Sequence, residues 1–437
     1  MYKLSKYNFV FQESDTLLLY NALTNTIVPI HEKDKCTIDA FLDNLKLFEE
    51  ENPIIFQKFI KYGFIIKTDF DELEFLRFMN KKDLFSSRDF RLTINPTLDC
   101  NMNCWYCSVV TAGAIRSKAY MSKDIINKVK MLITDLTSSS NMEGIYLDWF
   151  GGEPLLYFDE VIYPISVHCK EQILKNKINF THFITTNGYL VDKYIDKFNE
   201  ISLNNFQITI DGNEKRHDTI RRHFGHPSFN KIIKNVLLIC EKITNSQIIL
   251  RINYDKQTLK NVSEIIPFIP KEMRHKITIT LNKVYQIDRV HTEENLILKQ
   301  VKEEFELAGY RVDYWAFRPN TYHKCYSDRL NHAVINYNGD VFKCTARDYS
   351  EKLKAGVLNH EGKIDWNLAL VSAMYAYAPF ENEKCINCRM LPICIGPCIQ
   401  HAFENRKKGV KFMCLMEESE ISLASFVKAE AFKRNLI

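Results

Sequence analysis

Apolar positions recur along the middle of the chain in two alternating patterns. Short runs rich in β-branched and aromatic residues are typical of strands, and longer stretches with apolar residues every three or four positions are typical of helices. Predicted strands cover 90–94, 144–150, 179–185, 205–210, 247–253 and 276–281. Predicted helices cover 122–136, 160–174, 191–199, 228–242, 259–269 and 292–308. This alternation predicts a parallel sheet covered by helices, with ligands at the carboxyl ends of the strands.

The first 85 residues follow a different pattern. Two β-patterned runs, 15–20 and 26–30, flank residues 21–25 and predict a hairpin. Helical patterns over 37–48 and 53–62 follow, and 63–66 predicts a closing strand. We therefore expect a small domain over 1–85, a strand–helix domain over 86–310, and a third domain over 311–437 that ends in a helix at 417–434.

Composition narrows the class of protein. The 437 residues exceed one ordinary domain, and a hydrophobic content of 46% is enough for buried cores. Net charge is only +4, so the charge gives no reason to expect nucleic acid or an acidic membrane as a partner. The start of the chain lacks the apolar core of a signal peptide, and no apolar run approaches the roughly 18 residues of a membrane span. We expect a cytoplasmic protein.

Thirteen cysteines in a chain without an export signal favour reduced, metal-bound thiols over disulfides. Ten of the thirteen fall in motif-like spacings. Cys36, Cys169 and Cys240 lie within apolar or helical patterns, and we predict that they are small core residues.

The loop after the first predicted strand carries Cys100, Cys104 and Cys107. Three thiolates on so short a loop indicate a metal site. A 4Fe–4S cluster normally takes four cysteine ligands, so three would leave one iron open to a small molecule. The alternative is zinc, but structural zinc loops are usually completed by a second cysteine pair, and none lies nearby in sequence.

The spacing C-x3-C-x2-C, with the aromatic Tyr106 before the last cysteine, resembles that of the radical S-adenosylmethionine (SAM) enzymes. The resemblance implies that SAM chelates the open iron and that Tyr106 belongs to the cofactor-binding site. Its reductive cleavage would yield a 5′-deoxyadenosyl radical, which takes hydrogen from an unactivated C–H bond. It also implies an α/β fold with a partial (β/α)6 TIM-like barrel, in agreement with the strand–helix alternation.

Gly151-Gly152-Glu153-Pro154 follows the second predicted strand. Paired glycines allow close approach of the backbone to a ligand, and a carboxylate accepts hydrogen bonds from an ammonium group. The alternative is a plain strand-to-helix turn. One strand after the cysteine loop, the segment resembles the family motif that binds the SAM amino group, which implies this role for Gly151, Gly152 and Glu153.

Three further residues resemble family positions around SAM. Asn187 follows the third strand, and Thr209 ends the fourth, where relatives contact the ribose. Arg221, in the segment His217-Asp218-x-x-Arg221, resembles an arginine that reaches the SAM carboxylate. The alternative for each segment is a turn, and for His217 a structural histidine.

The C-terminal third carries seven more cysteines, which exceed the needs of one zinc ribbon: Cys325, Cys344, Cys385, Cys388, Cys394, Cys398 and Cys414. The C-x2-C pair alone is compatible with zinc. The complete pattern resembles the cysteine-rich SPASM extension of radical SAM peptide maturases, which holds two auxiliary 4Fe–4S clusters. The resemblance implies Cys325, Cys344 and Cys398 as ligands of auxiliary cluster I. It implies Cys385, Cys388, Cys394 and Cys414 as ligands of auxiliary cluster II.

The hairpin and helices of residues 1–85 resemble the winged-helix-like peptide-recognition domain fused to many peptide-modifying radical SAM enzymes. The resemblance implies that an exposed strand edge binds the leader of a precursor peptide by β-augmentation. The alternative is a structural cap on the barrel.

Together these features predict an oxidoreductase that abstracts hydrogen from a ribosomally made precursor peptide and closes an intramolecular C–S, C–C or C–O cross-link. An auxiliary cluster would accept the electron released on oxidation of the substrate radical. A flavodoxin or ferredoxin would supply the electron that cleaves SAM.

Three alternatives remain from the sequence. Enzymes that form formylglycine in sulfatases have an aspartate directly after the cysteine of G-x4-C; here Thr345 occupies that place, and Asp348 is a weak candidate base. A peptide epimerase needs a hydrogen donor such as a cysteine thiol, for which Cys169 and Cys240 are candidates. A non-enzymatic iron–sulfur or zinc scaffold that binds peptides is the third.

Overall fold

The structure is a computed structural model that describes residues 1–107, 109, 118–284, 286, 292–314, 316–376, 379–409, 414, 416 and 422–437. Its internal contacts divide the chain into two units. The first unit comprises Met1–Phe85, Tyr314–Arg329 and Ala376–Ile437. The second unit comprises Ser86–Asp313 and Leu330–Tyr375.

The first unit begins with strands, helices and a short returning strand. In chain order these are β1 (Tyr2–Leu4), β2 (Asn8–Glu13), β3 (Thr16–Asn21), β4 (Thr26–His31), α1 (Lys35–Asp43), α2 (Leu45–Glu51), α3 (Pro53–Lys61), β5 (Ile65–Lys67) and α4 (Glu72–Leu84). Strands β2, β3 and β4 form an antiparallel sheet, and β1 pairs with β5. The predicted hairpin and closing strand are therefore confirmed.

Three features of this region differ from expectation. The helix predicted over 37–48 is two helices, because Asn44 adopts an extended backbone and its side chain caps α2 by accepting the N–H of Leu47. Cys36 is exposed, so its assignment to the core is wrong: Ile38 and Phe41 form the buried face of α1. Helix α4 was not predicted, although an N-cap aspartate, Asp71, precedes it.

The second unit contains the alternating strands and helices. They are β6 (Asp89–Ile94), α5 (Lys123–Ser138), β7 (Gly144–Trp149), α6 (Tyr163–Asn176), β8 (Asn179–Thr186), α7 (Val191–Glu200), β9 (Asn205–Thr209), α8 (Glu214–Ile220), α9 (Phe229–Lys242), β10 (Gln247–Tyr254), α10 (Lys256–Asn261), β11 (Ile277–Lys283), α11 (Thr292–Leu307), β12 (Arg311–Val312), β13 (His332–Ile335), β14 (Asp340–Phe342), β15 (Gly356–Leu358), β16 (Ile364–Trp366) and α12 (Leu368–Tyr375). All six predicted strands are confirmed.

The strands form one sheet in the order β12-β11-β10-β9-β8-β7-β6-β13-β14-β15-β16. Strands β6 to β12 pair in parallel and in sequence order. Helices occur at all six predicted positions. The helix predicted over 259–269 is divided into α10 and a 3-10 helix, Val262–Phe268. Cys169 and Cys240 are buried, as predicted.

Strands β13 to β16 lie in the region expected as a separate C-terminal domain. Strand β13 pairs in parallel with β6, and β14 to β16 add antiparallel strands to the same sheet. The β13–β14 turn contains Asn338-Gly339, a common hairpin sequence, and Gly339 has a φ of 87°. Residues 311–437 are therefore divided between the two units, and the three-domain division stays a prediction.

The first unit ends in helices α13 (Glu383–Asn387), α14 (Leu391–Cys394), α15 (Ile399–Lys407) and α16 (Leu423–Lys433). Phe426 of α16 packs against Tyr20 and Phe317 of the same unit. A terminal helix was expected over 417–434, of which residues 417–421 lie outside the described residues. No helix in the described part of the chain is long and apolar enough to cross a membrane.

One face of the parallel sheet is less covered than the other. Along β10, alternate residues Ile248, Leu250 and Ile252 are buried, whereas Arg251 and Asn253 on the opposite face are partly exposed. Parallel strands covered on both faces are usually apolar throughout. The partly exposed face of β10 therefore carries polar side chains, Arg251 and Asn253, toward the carboxyl end of the strand.

Candidate active site

The cysteine loop leaves the carboxyl end of β6 and contacts the segment that follows β7. Gly152 donates its N–H to Thr97 O at 3.1 Å, and Glu153 donates its N–H to Asp99 O at 2.7 Å. A Cβ added to Gly152 would lie 1.9 Å from Asp99 O, and one added to Gly151 would lie 2.3 Å from Thr97 O. The two glycines thus allow close packing against the backbone just before Cys100, a role that the expected approach to SAM did not include.

We expect Gly152→Ala to disturb the cysteine loop. A methyl group at this position overlaps a backbone carbonyl, so we expect a loss of about 1–3 kcal/mol of unfolding free energy and less iron bound on the loop. Thermal unfolding and iron analysis measure the two effects. Gly144→Ala is the matched control, because its added Cβ would lie 3.5 Å from its nearest neighbours. Equal iron content in both variants would contradict this assignment.

Glu153 is fully buried and connects β7 to the end of β8. Its Oε1 accepts from Thr186 Oγ1 at 2.7 Å and from Leu155 N at 3.0 Å, and its Oε2 accepts from Asn187 N at 2.7 Å. Burial raises the pKa of this carboxyl group, and the three donors oppose that shift. A carboxylate accepts about four hydrogen bonds, so one acceptor position remains for a ligand such as an ammonium group.

Asn187 continues this network to the cysteine loop. Its Nδ2 donates to Asn101 Oδ1 at 2.7 Å, and its Oδ1 accepts from Tyr189 N at 2.9 Å. Among the described residues, the buried Asn101 Nδ2 has no hydrogen-bond partner. The ends of β7 and β8 are thereby linked directly to the residue after Cys100.

Glu153→Gln tests this network. The amide has a single acceptor oxygen, so either the Asn187 N–H or the donors on Oε1 would face an NH2 group. Loss of hydrogen bonds to a buried charge costs about 1.5–3 kcal/mol, which corresponds to a rise in the KM for SAM of roughly 10- to 150-fold. Initial rates of 5′-deoxyadenosine formation measure it. Exposed Glu160→Gln is the control, and equal KM values for the two variants would exclude the proposed role of Glu153.

Tyr106 fixes the far end of the cysteine loop. Its hydroxyl donates to the fully buried Asp211, which follows β9, and accepts from Arg221 Nη1 at 2.8 Å and Asn253 Nδ2 at 3.1 Å. Asn253, near the end of β10, was not among the predicted site residues. Its position on the polar face, at the carboxyl end of a parallel strand, is the signal that points to it. Thr209 is buried at the end of β9, directly before this cluster.

Arg221 is a buried cation beside the cysteine loop. Burial lowers the pKa of its guanidinium, but Cys104, Tyr106 and Asp211 outweigh burial and hold that pKa well above its usual value. Asp211 lies 3.7 Å from Arg221 Nη1. Arg221 Nε has no hydrogen-bond partner among the described residues. An unpaired N–H on a permanent cation suits a carboxylate ligand.

His217 has the structural role considered from the sequence. Its Nδ1 accepts from Asp211 N at 3.2 Å, and its Nε2 lies 3.0 Å from Ser228 Oγ, which donates to Arg221 O. Burial lowers the pKa of His217 well below its usual value, so the ring is neutral. A neutral ring bonded at both nitrogens holds Asp211 and Arg221 in place.

Cys100, Cys104 and Cys107 are the residues of the cysteine loop that would hold an iron–sulfur cluster. Burial, followed by the nearby Glu153, raises the pKa of Cys100 to about 12, so iron binding would have to displace its proton. Within the described ranges, no three Cys, His, Asp or Glu side chains are arranged to hold one metal ion. In a 4Fe–4S cluster each thiolate binds a different iron, so the three sulfurs need not converge on one point.

The remaining predicted cysteines occupy both units. Cys385 lies in the first unit, and burial is the largest cause that raises the pKa of its thiol to about 12. The nearby thiols of Cys394, Cys414 and Cys388 raise the pKa of Cys385 further. The four cysteines assigned to auxiliary cluster II are thus gathered together. Cys325 and Cys398 also belong to the first unit, and Cys344 belongs to the second.

Asp348, the candidate base, lies in the second unit. It is partly buried, and its carboxylate is 3.9 Å from Lys352 Nζ, four residues later in the chain. Its role as a base stays a prediction.

Residues 94–268 match the sequence model of the Radical SAM superfamily, a superfamily of enzymes. A probable GTP 3′,8-cyclase of Methanococcus maripaludis is 24% identical over 277 residues, which cover 60% of this chain and 86% of the relative. A GTP 3′,8-cyclase of Synechocystis sp. is 25% identical over 254 residues, covering 55% and 70%.

Solved structures with the same fold include two that contain peptides. SuiB of Streptococcus suis, bound to its precursor peptide SuiA, superposes with a TM-score of 0.52 at 16% identity and covers 94% of this chain and 98% of SuiB. The anSMEcpe structure with AdoMet and the Cp18Cys peptide has a TM-score of 0.54 at 16% identity and covers 79% of this chain and 97% of anSMEcpe.

Proposed function

Because this chain carries a radical SAM domain over residues 94–268, we propose that it is a radical SAM enzyme that cross-links a ribosomally made precursor peptide. The observation that most supports this proposal is the structural similarity to SuiB over 94% of the chain, because SuiB was solved with a precursor peptide. The gathered cysteines outside residues 94–268 add support, because SAM cleavage alone requires only the cysteine loop.

In this proposal Cys100, Cys104 and Cys107 hold a 4Fe–4S cluster that, with SAM bound, supplies the 5′-deoxyadenosyl radical. Glu153 accepts the SAM ammonium group at its remaining acceptor position, and Arg221 Nε donates to the SAM carboxylate. Tyr106 and Asn187 hold the two ends of the cysteine loop against the strand ends. Arg251 and Asn253 on the partly exposed face of β10 would contact the substrate.

Closing a cross-link removes two hydrogens from the peptide. One leaves as an atom, taken by the SAM-derived radical, and the other leaves as a proton. One electron is also released and requires an acceptor. We propose two auxiliary clusters for this role, one with Cys325, Cys344 and Cys398 as ligands and one with Cys385, Cys388, Cys394 and Cys414.

For the peptide we propose a leader-binding role of residues 1–85. Strands β2 and β4 are the outer strands of the three-stranded sheet, and an outer strand can pair with an extended peptide. We also propose that the protein works in the cytoplasm with a flavodoxin or ferredoxin as electron donor. The ten cysteines proposed as iron ligands suit a reducing compartment.

One competing function has a specific observation in its favour. The sequence relatives are named GTP 3′,8-cyclase, which makes GTP the rival substrate. Formylglycine formation, peptide epimerisation and non-catalytic peptide binding are the remaining alternatives.

The exact mass of a small peptide encoded beside this protein tests the proposal. The peptide is incubated anaerobically with the reconstituted enzyme, SAM and a reductant, with GTP offered in a parallel reaction. We expect the peptide to lose the mass of two hydrogens and GTP to remain unchanged. Conversion of GTP with an unaltered peptide would reject the proposal in favour of the rival. An unaltered peptide mass with release of 5′-deoxyadenosine would indicate epimerisation.

A further inference from the structure

Asp328 joins two cysteine-bearing segments of the first unit. This carboxylate is only 4% exposed. Its Oδ2 accepts the backbone N–H groups of Lys324 and Cys325, each at 2.9 Å. Its Oδ1 accepts the N–H of Ile399, the residue after Cys398, at 2.8 Å.

The contact with Cys325 is reciprocal. Cys325 directly precedes the 3-10 helix Tyr326–Asp328, and its carbonyl oxygen accepts the backbone N–H of Asp328 at 2.9 Å while the Asp328 carboxylate accepts the N–H of Cys325. Asp328 therefore binds both the backbone N–H and the backbone carbonyl of Cys325. Hydrogen bonds to a carboxylate are about twice as strong as neutral ones, and burial excludes water from them.

We propose that Asp328 is a positioning residue that holds Cys325 and Cys398 ready as ligands of one auxiliary cluster. The inference rests on the proposed function, because it presupposes that these cysteines bind iron. Metal ligands are commonly oriented by hydrogen-bonded neighbours, and here one buried side chain serves two ligand segments that are 73 residues apart in sequence. Without it, two loops would have to be ordered when iron binds.

Two substitutions disrupt the hydrogen bond between the Asp328 carboxylate and the N–H of Ile399, one by changing the acceptor and one by removing the donor. Asp328→Asn leaves one acceptor oxygen and places an NH2 group against either Ile399 or the Lys324–Cys325 pair. Ile399→Pro removes the N–H of Ile399 and leaves the carboxylate intact. Ile399 is the first residue of α15, where proline is well tolerated, and Cys398 has φ −65° and ψ 158°, as a residue before proline requires.

Two controls match these variants. Ile399→Ala removes the side chain but keeps the N–H. Asp71→Asn alters another aspartate that accepts two backbone N–H groups, those of Leu73 and Glu74, at an exposed helix start.

The test uses the full chain with Cys100, Cys104 and Cys107 replaced by alanine, so that only auxiliary iron remains. Each variant is reconstituted anaerobically, and iron release to a chelator is followed with time. The unfolding temperature of the iron-free chain shows whether a variant folds. If Asp328→Asn does not fold, Ile399→Pro provides the answer.

We expect Asp328→Asn and Ile399→Pro to release the iron of one cluster roughly tenfold faster or more. Ile399→Ala and Asp71→Asn should release iron at the rate of the parent chain. Release from both test variants at the parent rate, or equal release from Ile399→Pro and Ile399→Ala, would overturn the inference alone. A parent chain that takes up no iron would overturn the auxiliary clusters as well.

Discussion

Replacing Cys104 with alanine should abolish formation of 5′-deoxyadenosine from SAM. Cys104 is buried beside Arg221, on the loop that Tyr106 and Asn187 hold against the strand ends. Removing one of three ligands leaves two thiolates for a cluster that needs at least three protein ligands when SAM occupies the fourth iron. Chromatography of the anaerobic reaction measures the nucleoside, and iron analysis should show the loss of one cluster.

Cys169→Ala is the matched control for this variant. Cys169 is also a fully buried thiol of the second unit, but it lies in α6 and outside every cysteine motif. We expect full iron content and unchanged SAM cleavage in the control. Residual SAM cleavage by Cys104→Ala at the rate of the control would show that the loop does not hold the catalytic cluster.

Replacing Cys385 and Cys388 together with alanine should separate the two halves of the reaction. These thiols are gathered with Cys394 and Cys414 in the first unit, whereas the cysteine loop lies in the second. The double variant should still form 5′-deoxyadenosine, because its radical SAM cluster is intact. It should form no cross-linked peptide, because the electron left after hydrogen abstraction lacks its acceptor.

Product mass and 5′-deoxyadenosine are measured in the same reaction. Cys36→Ala is the control, because Cys36 is an exposed thiol of the first unit that belongs to no motif. Cross-linking by the double variant at the rate of the control would contradict the assigned role of the auxiliary clusters.

The strand–helix alternation is the part of the fold that sequence reasoning describes best. Apolar periodicity is a local property, and in β6 to β11 it reports burial directly, so all six strands were placed within a few residues. Pairing is a non-local property. Nothing in the apolar pattern of residues 332–335 indicates that β13 pairs with β6, about 240 residues earlier in the chain.

The candidate site shows the same difference between local and non-local properties. Cysteine spacing and the Gly-Gly-Glu-Pro segment identify residues that act within short stretches of chain. Asn253 and Asn101 act through partners that are distant in sequence, Tyr106 and Asn187, so their roles become visible only when the strand ends are brought together. Asp328 is a further case, since its partner Ile399 is distant in sequence and neither residue belongs to a cysteine motif.

The most direct test of peptide hydrogen abstraction follows the hydrogen itself. The precursor peptide is made fully deuterated at carbon and incubated with the reconstituted enzyme and unlabelled SAM, and the 5′-deoxyadenosine is analysed by mass spectrometry. We expect transfer of deuterium from the peptide into 5′-deoxyadenosine during formation of the cross-linked product. Cross-linked product accompanied only by unlabelled 5′-deoxyadenosine, or deuterium transfer only from labelled GTP, would contradict it.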